Sequence, residues 1–333
     1  MSKICQTKAR VTLVVFLVFF FFFNICSADE ISSLMTEGGD AFKAKNYDVA
    51  IGLFSKAIQL DTNYPNAYLA RGRAYERDNQ SKKALADMDQ VLRLTPSVYA
   101  YLLKGRILLK DKMVDKAIDS YSQAIRLDPL YFESYADRGH AYVVANDYNK
   151  AIADYNVALQ IKTNSASIYN LRAYAYLAMG RTNDAIADYN KSIALEPGDA
   201  VVFTSVGLLY AQTGNYKAGI ANCEKAINID TNFSVGYNNL AWLLSVVPNA
   251  SLRNGRLAVE YAQKAGELDK WNQPYLFGTL AAAYAEVGDF DKAVKLETKC
   301  IQSGLSDADM VLAVKQLNLY KQKKPYYLPV SNN

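Results

Sequence analysis

Small side chains recur along this chain with a period close to 34 residues, at Ala50, Ala84, Ala117, Ala151, Ala185, Gly219, Ala258 and Ala293, the successive intervals being 34, 33, 34, 34, 34, 39 and 35 residues. A period of this length marks stacked supersecondary units, because one unit cannot bury its own apolar face and its neighbours must complete the core. Seven places after each small residue stand Ala57, Val91, Ala124, Ala158, Ser192, Ala226, Ala265 and Cys300, and twelve places before it Gly38, Gly72, Gly105, Gly139, Ala173 and Gly207, with Ala281 in the last unit. Glycine inside a helix costs up to about 1 kcal/mol against alanine. Its return at one phase predicts close contact between helices.

Large residues fill the complementary phases. Tyr68, Tyr101, Tyr135, Tyr169 and Tyr237 share a place near the start of a unit, and Tyr75, Tyr142, Tyr176, Tyr210 and Tyr284 a place seven residues later, the spacing of one helical face. Tyr121, Tyr155 and Tyr189 share a third place, and Tyr47, Tyr148 and Tyr216 a fourth, so the repeat positions sixteen of the 25 tyrosines. Rings facing recurrent Gly or Ala are expected as knobs in holes, with a stacking surface for bases or sugars as the rival use. Leu94-Thr95-Pro96, Leu127-Asp128-Pro129 and Leu195-Glu196-Pro197 close three units with proline, which ends helices. Gly180-Arg181-Thr182-Asn183, Gly214-Asn215-Tyr216 and Gly288-Asp289-Phe290 punctuate the middle of others. Each unit therefore reads as helix, turn, helix.

Small residues at places eight, twenty and twenty-seven, aromatics at four, eleven and twenty-four, and Pro at thirty-two resemble the tetratricopeptide repeat, as in Tyr135-Ala136-Asp137-Arg138-Gly139-His140-Ala141-Tyr142 followed by Asp147-Tyr148-Asn149-Lys150-Ala151-Ile152. The resemblance covers residues 31–305 in eight units, starting at Ile31, Pro65, Val98, Phe132, Ala166, Ala200, Ser234 and Pro274. In the seventh, Val247 to Gly255 adds five residues between the helices. The resemblance implies an all-α fold, a right-handed superhelical solenoid. Residues 306–323, with Met310, Val314, Leu317 and Leu319 spaced among Lys and Gln, are expected to form a C-terminal capping helix, and 324–333 a tail.

Such repeats resemble scaffolds that bind peptides or protein surfaces in a concave groove, lined by places two, five, nine, twelve and thirteen of the first helices. Toward the N-terminus these places hold Lys43, Arg73, Glu76, Arg77, Arg106 and Lys110, with His140 at place nine of the fourth unit. Toward the C-terminus they hold Tyr174, Leu177, Leu208, Trp242 and Tyr275. A groove cationic at one end and apolar at the other fits an acidic segment with apolar anchors. The competing reading makes the basic residues a solvated face and the aromatics packing between repeats. The carboxylate clamp of some relatives is absent, since Met35, Gly39, Ala70, Tyr99 and Leu103 occupy its places.

Residues 1–28 read as an export signal: Lys3, Lys8 and Arg10 without an acid, the apolar run Val11 to Phe23, then Cys26-Ser27-Ala28 before a cut ahead of Asp29. Thirteen apolar residues reach roughly 20 Å as a helix, short of the ~30 Å hydrocarbon core that an uncleaved anchor would span. A lipid on Cys26 is the third alternative. A periplasmic or secreted protein is expected, touching membrane only through an uncleaved signal or a lipid, and an envelope or secretion-apparatus assembly factor tethered in that way is the alternative role. Removing the three N-terminal bases leaves 34 basic against 33 acidic residues, which argues against a nucleic-acid partner. Cys223 and Cys300 lie two repeats apart and are expected as buried free thiols. One histidine, His140, and no phosphate loop, Cys-x-x-Cys, His-Glu-x-x-His or Gly-x-Ser-x-Gly give catalysis little support and imply no cofactor or metal. An enzyme using groove carboxylates remains the minor alternative.

Overall fold

The computed structural model describes residues 28–329, and the expected signal segment, apart from Ala28, lies outside them. Among the described residues the secondary structure is seventeen α-helices and one short 3-10 turn, with no strand. No helix among them is long and apolar enough to cross a membrane. The chain divides into two compact units, meeting in sequence at Lys162 and Thr163.

The first unit comprises α1 (28–43), α2 (Tyr47–Leu60), α3 (Pro65–Arg77), α4 (Ser81–Leu94), α5 (Val98–Lys110), α6 (Val114–Leu127), α7 (Phe132–Val144) and α8 (Tyr148–Ile161). Odd and even helices pair within a repeat, each even helix from α2 to α6 also packs on the next odd one, and α3, α5 and α7 touch in succession. The second unit comprises α9 (Ala166–Ala178), α10 (Thr182–Leu195), α11 (Ala200–Gln212), α12 (Tyr216–Ile229), α13 (Ser234–Val246), α14 (Gly255–Asp269), α15 (Tyr275–Glu286), α16 (Phe290–Gln302) and α17 (Asp307–Lys321). Here α11, α13, α15 and α17 touch in succession, and α17 lies against α16. The five extra residues of the seventh repeat hold the 3-10 turn Ala250–Leu252, and Arg253 fixes them by donating to the Val247 and Pro248 carbonyls at 2.9 Å each.

A common turn joins the two helices of a repeat. Place fifteen is left-handed at Lys45, Asn79, Lys112, Asn146, Gly180, Gly214 and Gly288. Place sixteen then returns its N–H to the carbonyl five residues back, as Asp147 does to Tyr142 at 2.8 Å, ending the first helix with its last carbonyls satisfied. In four repeats that residue is Asn46, Asp147, Asn215 or Asp289, whose side chain accepts from the N–H three residues on and caps the second helix.

Helix contact inside a repeat follows the expected Gly-to-aromatic phase at place twenty-four. A Cβ on Gly139 would sit 2.7 Å from the Tyr155 ring, and Tyr121 and Tyr155 are among the largest fully buried side chains. The tyrosines of places four and eleven behave differently from the expected knobs. They flank a guanidinium: Arg71 lies over Tyr68 and Tyr75, Arg138 over Tyr135 and Tyr142, and Arg172 over Tyr169 and Tyr176, all between 5.6 and 5.9 Å from the ring centres. Each arginine makes a two-pronged pair with an aspartate of the second helix. Arg71 donates to Asp87 at 2.9 and 2.7 Å, Arg138 to Asp154 at 2.8 Å twice, and Arg172 to Asp188 at 2.7 Å twice. Arg71 and Arg138 also reach back to Ser55 and Ser122 of the preceding repeat, at 3.1 and 3.0 Å. These tyrosines are only partly buried because their faces cover a charge.

Two further expectations change. The buried face of α17 is Ala313, Gln316 and Tyr320, while Val314 points outward, because the helix turns Gln316 toward α13 and α15. Residues 324–329 are not a free tail. Tyr326 stacks on Trp242 at 6.2 Å, the Leu328 N–H donates to the Val246 carbonyl at 2.8 Å, and Tyr216 donates its hydroxyl to the Pro329 carbonyl at 3.2 Å.

Candidate functional site

In the first unit the expected groove residues form an exposed stripe in which most of the cations already have partners. Lys43 pairs with Asp40 at 3.1 Å, Arg77 with Glu76 at 3.4 Å and Arg106 with Asp137 at 3.7 Å, while Lys110 donates to Asn79 Oδ1 at 2.7 Å. Arg73 lies over the Phe42 ring at 5.4 Å. His140 is exposed at place nine, one turn from Asp137, whose carboxyl burial pushes above its ordinary range against the pull of Arg106 and His140. The stripe is thus mixed in sign, and exposed pairs of this kind contribute little to stability and stay available to a partner.

The second unit brings Leu208 of α11, Trp242 of α13 and Tyr275 of α15 to the wall of one cavity of about 440 Å³, closed at its far side by α16 and α17. Tyr174 of α9 is exposed and does not line it. Places two, five, six and nine of the odd helices supply the walls, through Val235, Asn238, Asn239 and Trp242 on α13 and Tyr275, Gly278 and Thr279 on α15. Leu305, Leu312 and Ala313 complete an apolar side. This size falls within the range of small-ligand and side-chain pockets.

Its polar residues were not among the expected ones. Glu297 of α16 lines the cavity with 0% exposure, and neither carboxyl oxygen has a hydrogen-bond partner among the described residues. Gln316 Nε2 and Asn238 Oδ1, also at the cavity wall, are buried and unpartnered in the same way. Burial alone pushes the Glu297 carboxyl up to about 8 and, with Glu297 beside it, helps push the Cys300 thiol up to about 12. Cys223 and Cys300 are buried free thiols. A signal for Glu297 did exist in the sequence. It stands at place twenty-four, where the first six repeats carry Phe54, Met88, Tyr121, Tyr155, Tyr189 and Cys223.

Among the described residues no group of three or more His, Cys, Asp or Glu is arranged to hold a metal ion. The arrangement instead offers a recess lined by apolar and aromatic side chains with the buried Glu297 carboxyl in its wall, next to Trp242, on which residues 324–329 already pack.

Comparison with known proteins places this geometry in a family. Residues 69–132, 166–199 and 201–233 each match models described as the tetratricopeptide repeat, and residues 139–180 match one described as the TPR repeat. Among solved structures, the C-terminal part of a TPR repeat-containing protein from Cytophaga hutchinsonii is similar over 84% of this chain and 99% of its own, at 17% identity and a TM-score of 0.55. PilF of Pseudomonas aeruginosa is similar over 62% of this chain and 94% of its own, at 14% identity and 0.53. A protein named MamA covers 50% of this chain and 95% of its own, at 26% identity and 0.46. The matched segments fall in both units and the same helix-turn-helix geometry recurs outside them, so the chain carries tetratricopeptide repeats.

Proposed function

We propose that this protein is a non-enzymatic interaction scaffold whose second unit binds an extended segment of a partner protein along the inner faces of α11, α13 and α15. The observation that carries the reading is the seating of residues 324–329 against α13, through an aromatic stack on Trp242 and a backbone bond to Val246. A surface that accepts one extended segment by main-chain bonding and ring stacking has the chemistry to accept another, and the neighbouring cavity supplies a pocket for an anchor residue. The mixed but exposed stripe of Arg73, Arg77, Arg106 and Lys110 in the first unit suits an acidic stretch of a partner. The N-terminal sequence supports work outside the cytoplasm, periplasmic or secreted, after a cut ahead of Asp29, or tethered to the membrane as an assembly factor. N-terminal sequencing of protein from its native host separates the two.

The test is site-specific photocrosslinking in that host. A crosslinking residue placed at Leu208 or Tyr275 should capture a partner that the same residue at Glu260, exposed on α14, does not. With that partner in hand, Trp242→Ala should speed dissociation by more than about tenfold, as expected for a central anchor. Equal capture from all three positions, or a dissociation rate indifferent to Trp242→Ala, discards the groove.

A further inference from the structure

We propose that the cavity of the second unit is a site for a primary ammonium group carried on an apolar stem, with Glu297 as the anion that receives it. This rests on the reading that the inner face of the second unit receives ligands, and it names the chemistry selected there. The shared chemistry has two sources, the side chain of a partner lysine and a free alkylamine.

Three oxygen atoms at the cavity wall, Glu297 Oε1 and Oε2 and Asn238 Oδ1, have no partner among the described residues, against one unpartnered donor, Gln316 Nε2. Buried polar atoms of native proteins are nearly always satisfied, so three unpartnered oxygens in the wall of one cavity, all acceptors once the carboxyl is ionised, call for a ligand rich in donors. A neutral donor would leave a buried carboxylate uncompensated, which is costly, whereas an ammonium brings three N–H groups and the opposite charge. No Lys or Arg lines the cavity.

The walls select the rest of the ligand. Leu208, Val235, Leu305 and Leu312 offer hydrocarbon to a stem, and the Trp242 and Tyr275 rings also line the cavity, where a cation is tolerated. A hard metal cation is a poor fit, because it requires about six or more oxygen ligands and the cavity offers two carboxyls, Glu297 and Asp309, with no group of three or more His, Cys, Asp or Glu arranged to hold a metal among the described residues. Gly278 packs beside the carboxyl: an added Cβ there would stand 3.8 Å from Glu297 Oε2 and 3.3 Å from Cys300 Sγ. The residue is also out of pattern. Place twenty-four is a packing place in the first six repeats, and a glutamate there has no structural use that an apolar residue would not serve better.

Proton exchange gives the site a signature. The groups near the carboxyl are Cys300 on its own helix, Asp309 and Tyr320 on α17 and Tyr275 on α15, none of them a cation. Held up to about 8, Glu297 carries a proton at neutral pH. An arriving ammonium stabilises the carboxylate and expels that proton to solvent, so the ligand keeps its charge and one proton is released per ammonium bound.

Isothermal titration of the full mature chain at about pH 7 tests this with n-hexylamine, n-hexanol and Nα-acetyl-lysine N-methylamide. The expected result is binding of hexylamine at least about tenfold tighter than hexanol, with heats in two buffers of different ionisation enthalpy reporting release approaching one proton. Glu297→Gln, which keeps the shape, should abolish that preference and the proton release while leaving hexanol unchanged. Ala313→Leu, which fills the cavity, should block both ligands, with circular dichroism checking that each variant folds. Tight binding of the lysine derivative assigns the site to a partner lysine, and binding of hexylamine alone assigns it to a free amine. Equal affinity for hexylamine and hexanol, or an amine affinity unaffected by Glu297→Gln, overturns the proposal. Failure here with crosslinking still focused on Leu208 and Tyr275 would remove the ammonium and leave the scaffold reading, while the reverse pattern would do the opposite.

Discussion

At Lys45, Asn79, Lys112 and Asn146 the backbone is left-handed with φ between 59° and 62°, the region that Gly180, Gly214 and Gly288 occupy at 72° to 86° in other repeats. A side chain there crowds the carbonyl beside its Cβ and costs about 1 to 2 kcal/mol, less for asparagine, while glycine gives back part of the gain through its freer unfolded chain. Lys112→Gly should therefore raise stability by about 0.5 to 1 kcal/mol, and Gly180→Ala should lower it by a similar amount. Nothing lies within 4 Å of a Cβ built on Gly180, so the second effect is purely one of backbone strain. Urea titrations read both, and changes of the same sign would show that the turn does not set these angles. The glycine turns were legible in the sequence as punctuation. The lysine and asparagine turns were not, because a residue that merely tolerates φ above zero leaves no mark of it.

Between elements, the Arg138 and Asp154 pair ties α7 to α8, and Ser122 adds α6 of the preceding repeat. Removing one partner leaves a largely enclosed charge with no counter-ion, whereas replacing both by apolar residues removes the desolvation cost as well. Asp154→Ala should cost about 3 kcal/mol, and the double variant Arg138→Met with Asp154→Leu should recover most of it. Chemical denaturation of the two single variants and the double variant measures the coupling. Simple addition of the two single losses would mean that the pair is screened like a surface bridge. At this scale the sequence disclosed the helix starts well, since α3, α5, α7, α9, α11 and α13 begin at the first residues of the expected units. It disclosed the side-chain partnerships poorly. Tyr68 and Tyr75 share the helical spacing of core residues, and only the position of Arg71 between them, three places from one and four from the other, separates a sandwich around a cation from a knob in a hole.

For the whole molecule, stability as a function of pH depends on the difference in bound protons between the folded and unfolded chains, and Glu297 makes that difference large. Its carboxyl is held up to about 8 in the fold against 4.5 as the ordinary value, with burial as the only cause and with Cys300, Asp309, Tyr275 and Tyr320 as its titratable neighbours. Below about pH 4.5 both states carry the proton and this residue's full contribution is present. Between there and about 8 the folded chain holds a proton that the unfolded chain has lost, so stability falls as pH rises, and it levels off above the folded value. The loss across this window is on the order of a few kcal/mol. Glu297→Gln should abolish the slope, leaving the variant close to the parent near pH 5 and clearly more stable near pH 9. Denaturant midpoints across that range for both chains decide it, and parallel profiles would mean that the carboxyl is solvated in solution. The repetition of hexylamine titrations at the same pH values links the two properties: a ligand that draws the proton off should stabilise the parent chain most where the empty carboxyl is charged, and should leave Glu297→Gln unchanged throughout.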